Sequence, residues 1–332
     1  MKMKKSVLFV GLLLVIFGTA CQSGKKSGVI KIGFVEAFED ATIAQAKTGF
    51  FDALAEKGFS EQKGNIKVLY RNAQGDIPTL TQIINYLVSE RVDLIGTSTT
   101  LAAIAAVQRN KEIPVFMSVS SMPDLLGLTD KNGNAPKNLL GIGENLAYID
   151  TSFSIIPLLL KSKIKDRKIR VGMIYNQSEP QSVDAFRRIE TVAKNENVDL
   201  IALPLNTSAE AQMVTLALLN KNIDAFFANP DNTVFAAFET IIKNCNAKNV
   251  PVFTSEAGLV DRGAVAAFGA DIYQWGFQAG LQAAEFLKNN KSTENMKVEM
   301  VKVRKRIFNP EAAQRFGFVF PESFAPLSQD KK

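Results

Sequence analysis

Short apolar and β-branched runs alternate along this chain with longer stretches in which apolar residues return every three to four positions. The runs 29–40, 91–100 and 113–116, and later 168–179, 222–233 and 250–253, read as buried strands. Amphipathic helices are predicted over 43–58 and 182–198, each after the first strand of its half. Two more are predicted over 75–92 and 207–223. Strand followed by helix, repeated, predicts parallel α/β sheets.

The two halves of the pattern match. "VIKIGFVEAFED" pairs with "KIRVGMIYNQSE", each a strand with a glycine and then an acidic loop. "RVDLIGTSTT" pairs with "NIDAFFANPDNT", each led by an aspartate and ending in hydroxyl or amide residues. "IPVF" returns as "VPVF", running on to Ser118 and Ser255. Three matches in one order at nearly one separation indicate two βαβαβ lobes. Length agrees, since 332 residues exceed what a single core usually holds. Open α/β sheets bind ligands beyond the carboxyl ends of their strands, so two facing lobes predict a ligand cleft.

Four polar clusters stand at those strand ends: Gly96–Thr100, Ser118–Pro123, Tyr175–Ser182 and Asn229–Thr233. The first leads into a helical stretch, where free backbone N–H groups and hydroxyls suit a carboxylate; Thr99 or Thr100 would serve equally as an ordinary cap. Glu179 and Asp231 are candidate partners for an ammonium group, or else solvated turn residues. Together the clusters carry donors and acceptors suited to a free amino acid.

Composition removes several alternatives. The chain has no histidine, hence neither the commonest general base nor the commonest metal ligand, and no triad at "GTSTT". "GIGENL" ends in Leu146 where a dinucleotide fingerprint needs Gly or Ala. No cofactor, metal or catalytic residue is expected. The net charge of +6 includes Lys2, Lys4 and Lys5, and the remaining lysines lie among acids, which is no nucleic-acid footprint.

Those three lysines open a different kind of segment. The apolar run Val7–Phe17 and the small residues after it form a secretory leader over 1–20, too short for the ~20 residues of a membrane span. Thr19-Ala20-Cys21 resembles the end of a bacterial lipobox, with Gly18 where an aliphatic residue is usual. Cys21 is then the lipidated residue and 21–28 a flexible tether. Cys245 is left as a packed or partly exposed thiol, without a disulfide framework.

Taken together, "NAQGD", "VDLIGTSTTLAA", "VGMIYNQSEPQSV", "PDNTV", "VPVFTSE", "RGAVAAFG" and "FNPEAAQRFGFVFP" resemble the substrate-binding lipoproteins of ABC importers, in the group with tryptophan- and tyrosine-binding members. The resemblance implies a type I periplasmic-binding-protein fold, two Rossmann-like lobes with a ligand cleft between them. Lobe 1 would hold 29–118 and 256–292, and lobe 2 119–255 and 293–332, with crossings near Ser118, Ser255 and Ser292. Ligand contacts carried over are Phe38, Glu39, Thr99, Thr100, Ser120, Ser121, Asn176, Glu179, Ser182, Asp231, Asn232 and Ser255. Phe38 would stack on an aromatic ligand. Leu101, Met122 and Asp40 stand where relatives commonly have Pro, Asp and His, and these departures bear on ligand identity.

The expected protein is extracytoplasmic and lipid-anchored, catches a small zwitterion such as an amino acid, and passes it to an ABC permease and its ATPase. Three alternatives stay open: a sugar or nucleoside ligand, an exported enzyme using Glu179 or Asp231 as acid and base, and a receptor signalling to a membrane kinase.

Overall fold

The computed structural model describes residues 28–327. The expected leader, the lipidation site Cys21 and the tether up to residue 27 lie outside them. In chain order the first elements are β1 (Ile30–Glu36), α1 (Ala41–Glu56), β2 (Ile66–Asn72), α2 (Ile77–Ser89), β3 (Leu94–Ser98), α3 (Thr100–Arg109), β4 (Val115–Ser121) and β5 (Leu139–Glu144). There follow α4 (Tyr148–Leu160), β6 (Arg170–Tyr175), α5 (Pro180–Asn195), β7 (Asp199–Pro204), α6 (Ala211–Leu219), β8 (Ala225–Ala228), α7 (Asn232–Ala236) and α8 (Phe238–Ala247). The chain continues through β9 (Val252–Glu256), α9 (Ala257–Asp261), β10 (Ala266–Ala270), α10 (Ile272–Lys288), β11 (Glu299–Met300), β12 (Arg304–Phe308), α11 (Pro310–Phe316) and β13 (Ala325–Pro326).

These elements form two sheets. The first runs β11-β5-β4-β3-β1-β2 and is parallel throughout; the second runs β13-β12-β10-β9-β8-β6-β7, with β12 antiparallel to β10. Every residue of β3 and of β9 is buried, as expected of strands covered on both faces. Alternate side chains of each sheet enter two separate apolar clusters. In the first lobe Phe34 and Phe116 meet α1 and α10, while Val35, Ile95 and Met117 meet α2 and α3. The architecture is therefore two α/β lobes, each a sheet between helical layers.

The helices form where their sequences supply a stripe and a cap. α2 buries Leu80, Ile83, Ile84 and Leu87 on one face, and the side chain of Asp76 accepts the N–H of Thr79 at its start. The α1–α10 contact depends on close backbone approach: a Cβ on Gly49 would lie 2.1 Å from the Tyr273 carbonyl oxygen, and one on Gly276 1.9 Å from that of Ala46.

The duplicated motifs occupy equivalent places. The Asp93 carboxylate accepts the Lys31 N–H at 2.7 Å and its own N–H donates to the Lys31 carbonyl; Asp224 does the same with Arg170. Pro114 and Pro251 each give their carbonyl to the neighbouring strand, at Ile95 and Phe226.

The lobe boundaries differ from the expected ones. β4 does not end its lobe at Ser118, because β5 follows and pairs with it in the first sheet, so the first crossing falls at 145–147. Likewise α9 and β10 follow Ser255 within the second sheet, and the second crossing is at Asp271. Ser292 precedes β11, which still pairs with β5; the third crossing is at 301–303. The overlooked strands, "LLGIGE" and "AAFGA", are short and rich in Gly and Ala, with little of the β-branched signal that marks a strand.

Candidate functional site

A cavity of about 880 Å³ lies between the lobes at the strand ends. That volume falls within the ~300–1,000 Å³ of small-molecule sites. The first lobe supplies Phe38 and Glu39 from the β1–α1 loop, Gln74, Gly75 and Ile77 from the start of α2, and Leu101 from α3. The second lobe supplies Asn176, Ser178 and Glu179 before α5, Asn206–Ser208 after β7, and Thr233 and Ala236 from α7. One wall is largely apolar and the facing wall polar.

Glu179 sits in that polar wall. Its carboxylate accepts from the Asn232 Nδ2 at 2.6 Å, the Thr233 hydroxyl at 2.9 Å and, more loosely, the Asn176 Nδ2 at 3.4 Å. Burial and the nearby charge of Asp231 hold its proton affinity far above the ordinary carboxylate range. Asp231 stands behind it and does not line the cavity. One oxygen caps α7 by accepting the Val234 N–H at 2.9 Å; the other takes the Asn176 N–H at 2.7 Å and the Ser182 hydroxyl. Burial raises Asp231 as well, while these hydrogen bonds oppose the rise. Ser182 also accepts from the Asn229 Nδ2 at 3.0 Å. Asn232, Asp231 and Ser182 thus fix the loop that presents Asn176 and Glu179.

In the first lobe, Thr99, Thr100, Ser120 and Ser121 come together at the start of α3, all buried and none of them lining the cavity, which α3 reaches through Leu101. The Thr100 Oγ1 accepts from the Ser120 hydroxyl and the Ser121 N–H, each at 3.4 Å, and donates to the Gln181 Oε1 at 2.7 Å. Neither threonine caps the helix with its side chain, so that alternative is not what the loop does. Instead Thr97 Oγ1, Ser98 Oγ, Thr99 Oγ1 and Ser121 Oγ have no hydrogen-bond partner among the described residues. Thr99 also has φ +89°, unfavourable for a β-branched residue. Leaving one buried hydroxyl unpaired costs about 1–3 kcal/mol. The four stand at the ends of β3 and β4 and at the residue before α3, and of them only Thr99 has a positive φ.

Ser255 lies elsewhere. Its hydroxyl donates to the Glu256 Oε1 at 3.2 Å, which also receives the Tyr148 hydroxyl at 2.8 Å. Glu144 and Arg304 form an ion pair beside them, joining the strands on either side of the first and third crossings. Burial is the main cause that pushes Glu256 up to about 8 and Tyr148 well above its usual value. Ser255 therefore lies at the end of β9, beside residues next to the first and third crossings, and not in the cavity wall.

Gln74, Ile77 and Asn206–Ser208 line the cavity although none is among the contacts expected from the sequence. The last three follow the end of β7 directly, and a polar run at a strand end was the available signal. Among the described residues no group of three or more His, Cys, Asp or Glu could hold a metal ion, and no helix is long and apolar enough to cross a membrane. Cys245 is buried, its thiol pushed up to about 12 by that burial.

Comparison with known proteins agrees with this fold. A tyrosine-binding protein of Clostridioides difficile (strain R20291) is 32% identical over 257 residues, which is 77% of this chain and 72% of the relative. A conserved domain protein of Vibrio cholerae superimposes with a TM-score of 0.79 at 27% identity, covering 89% of this chain and 97% of that one. An ABC domain from Streptococcus pneumonia in complex with L-Trp shares the fold, with a TM-score of 0.78 at 22% identity over 89% of this chain and 96% of that one. The family described as ABC transporter substrate binding protein matches residues 31–331, and the chain belongs to that family.

Proposed function

We propose that this chain is the extracytoplasmic receptor of an ABC importer for an amino acid, with preference for an aromatic side chain. The observation that carries the reading is the pairing of opposites across one cleft. A buried carboxylate, Glu179, faces the cavity from the second lobe, and from the first lobe α3 enters it through Leu101, directly after the buried, unpartnered hydroxyls of Thr97, Ser98 and Thr99, which stand behind the wall. An α-ammonium fits the former and an α-carboxylate the latter. Phe38, Ile77 and Leu101 supply the apolar wall for a side chain, with Phe38 offering a ring face. The tyrosine-binding relative supports the same ligand class.

In this reading Asn176 and Glu179 contact the ammonium group, and Thr99, Thr100, Ser120 and Ser121 surround the carboxylate. Ser182, Asp231 and Asn232 position the second-lobe loop. Cys21 carries a lipid that holds the receptor at the membrane, where a permease and its ATPase receive the ligand.

Titration calorimetry with a panel of amino acids, sugars and nucleosides tests the ligand class. L-Tyrosine or L-tryptophan is expected to bind at micromolar concentration or tighter. Binding of a sugar or nucleoside, with none to any amino acid, overturns the reading. Mass spectrometry of the chain purified from bacterial membranes, against a Cys21→Ser variant, checks the lipid separately.

A further inference from the structure

Arg262 belongs to none of the duplicated motifs and lines no part of the cavity. It follows α9 in the second lobe, where its guanidinium is fixed from several sides. Nε and Nη2 donate to the Glu239 carboxylate at 2.9 and 2.8 Å, Nη2 also donates to the Phe235 carbonyl at 3.0 Å, and the guanidinium carbon lies 5.2 Å from the Phe238 ring centroid. The remaining nitrogen, Nη1, reaches the other lobe. It donates to the Asp40 Oδ2 at 2.7 Å and to the Thr42 Oγ1 at 2.9 Å.

Asp40 is placed to transmit that bond. Its other oxygen caps α1 by accepting the N–H groups of Thr42 and Ile43 at 2.8 and 2.9 Å. Directly before it stand Phe38 and Glu39, which line the cavity. The lobes meet around the bond as well: Ile43 packs into the apolar cluster of the second lobe, and a Cβ on Gly258 would lie 2.5 Å from the Thr42 methyl carbon. With side-chain exposures of 1% for Asp40 and 15% for Arg262, the pair escapes the solvent screening that makes most surface ion pairs weak. A second bond between the lobes, from Thr100 to Gln181, leaves α3, on the opposite face of the first sheet from α1. The two bonds bracket the cleft.

We propose that Arg262 sets ligand affinity by latching the β1–α1 loop to the second lobe when the cleft closes. This rests on the reading of the chain as a two-lobed receptor, but not on which ligand it takes. Opening the lobes separates Arg262 from Asp40, so the bond contributes to the closed form alone, and a ligand that requires closure inherits that contribution. Arg262 touches no ligand in this scheme; it is a positioning residue.

Three variants test it: Arg262→Ala, Asp40→Asn and the double. Asparagine still accepts the N–H bonds of the α1 cap but gives up the charge, so Asp40→Asn keeps the loop folded where Arg262→Ala also releases Glu239. Small-angle scattering on the full mature chain without added ligand is expected to show a larger radius of gyration in each variant. Calorimetry and stopped-flow with L-tyrosine are expected to show affinity lower by about tenfold, mostly through faster release, with the double variant no weaker than the singles. An unchanged radius and affinity in both single variants, or fully additive losses in the double, overturns the latch. Should L-tyrosine fail to bind even the unaltered chain, the amino-acid reading falls, and the scattering comparison alone decides the latch.

Discussion

The Asn232 side-chain amide donates to Glu179 at 2.6 Å, so the acid that faces the cavity is aimed by a neutral neighbour rather than by a cation. Burial and the charge of Asp231 then raise Glu179 to about 8. Below that pH the group carries a proton, which an incoming ammonium must displace. Affinity for L-tyrosine is therefore expected to tighten by up to about tenfold per pH unit as pH rises, levelling off near 8. Calorimetry in buffers of different ionisation enthalpy reads the released proton directly. Glu179→Gln should abolish the release and weaken binding by about 2–5 kcal/mol. Full affinity in that variant would remove Glu179 from the site.

The start of α3 makes the opposite separation possible, between stability and binding. Thr99 combines φ +89° with a buried hydroxyl that has no partner among the described residues. Thr99→Gly relieves both, and is expected to raise the unfolding free energy by about 1 kcal/mol. In the proposed site the same change removes a carboxylate donor and should weaken L-tyrosine binding by about 1–2 kcal/mol. Chemical denaturation and calorimetry on one preparation check the two signs. A loss of both would mean that Thr99 merely supports the loop.

Glu256 gives a pH dependence of stability that is independent of ligand. Its folded value of about 8 lies above the 4.5 of an exposed glutamate, so between those values the folded chain binds more protons than the unfolded one. Stability contributed by the protonated group is therefore complete below about 4.5 and is lost as pH rises towards 8. Glu256→Gln keeps an oxygen for the Tyr148 hydroxyl and has no charge to bury. Its melting temperature is expected to fall less between pH 5 and 8 than that of the unaltered chain, about two pH units of the window being enough to see the difference. Parallel melting curves would remove Glu256 from the account.

What the sequence made legible was whatever repeats or alternates. Asp93 and Asp224 could be matched as strand leaders because each must hold the first strand of its lobe by the same two-way exchange, with Lys31 and Arg170. Asn176 and Glu179 were expected from the rule that ligands gather at strand ends, and Phe38 from the family resemblance. Three things were hidden. β5 and β10 carry Gly and Ala where β-branched residues would have announced a strand, and this displaced the first two lobe boundaries. The division of labour between Glu179 and Asp231 was hidden as well, since both are acids in polar turns. Only the folded geometry spends both oxygens of Asp231 on Val234, Asn176 and Ser182, leaving Glu179 to face the cavity. Arg262 opens the stretch "RGAVAAFG", but nothing local shows its pairing, because its partner Asp40 lies in the other lobe, far along the chain.

Selectivity among amino acids should reside in the apolar wall, and Gly75 gives a way to move it. That glycine has φ +84°, and a Cβ there would stand 3.3 Å from the Phe38 ring. Gly75→Ala therefore presses on Phe38 and strains the turn before α2, whereas Phe38→Leu removes the ring and leaves the turn alone. Both variants are expected to weaken L-tyrosine and L-tryptophan by about 1 kcal/mol or more, because aromatic pairs contribute about 0.5–1.5 kcal/mol beyond the area they bury. L-Leucine has no ring to lose against Phe38, so Phe38→Leu should change its binding little. Competition calorimetry across the three amino acids measures the ratio. A uniform loss for all three would place Phe38 in the closure of the cleft rather than in the recognition of the side chain.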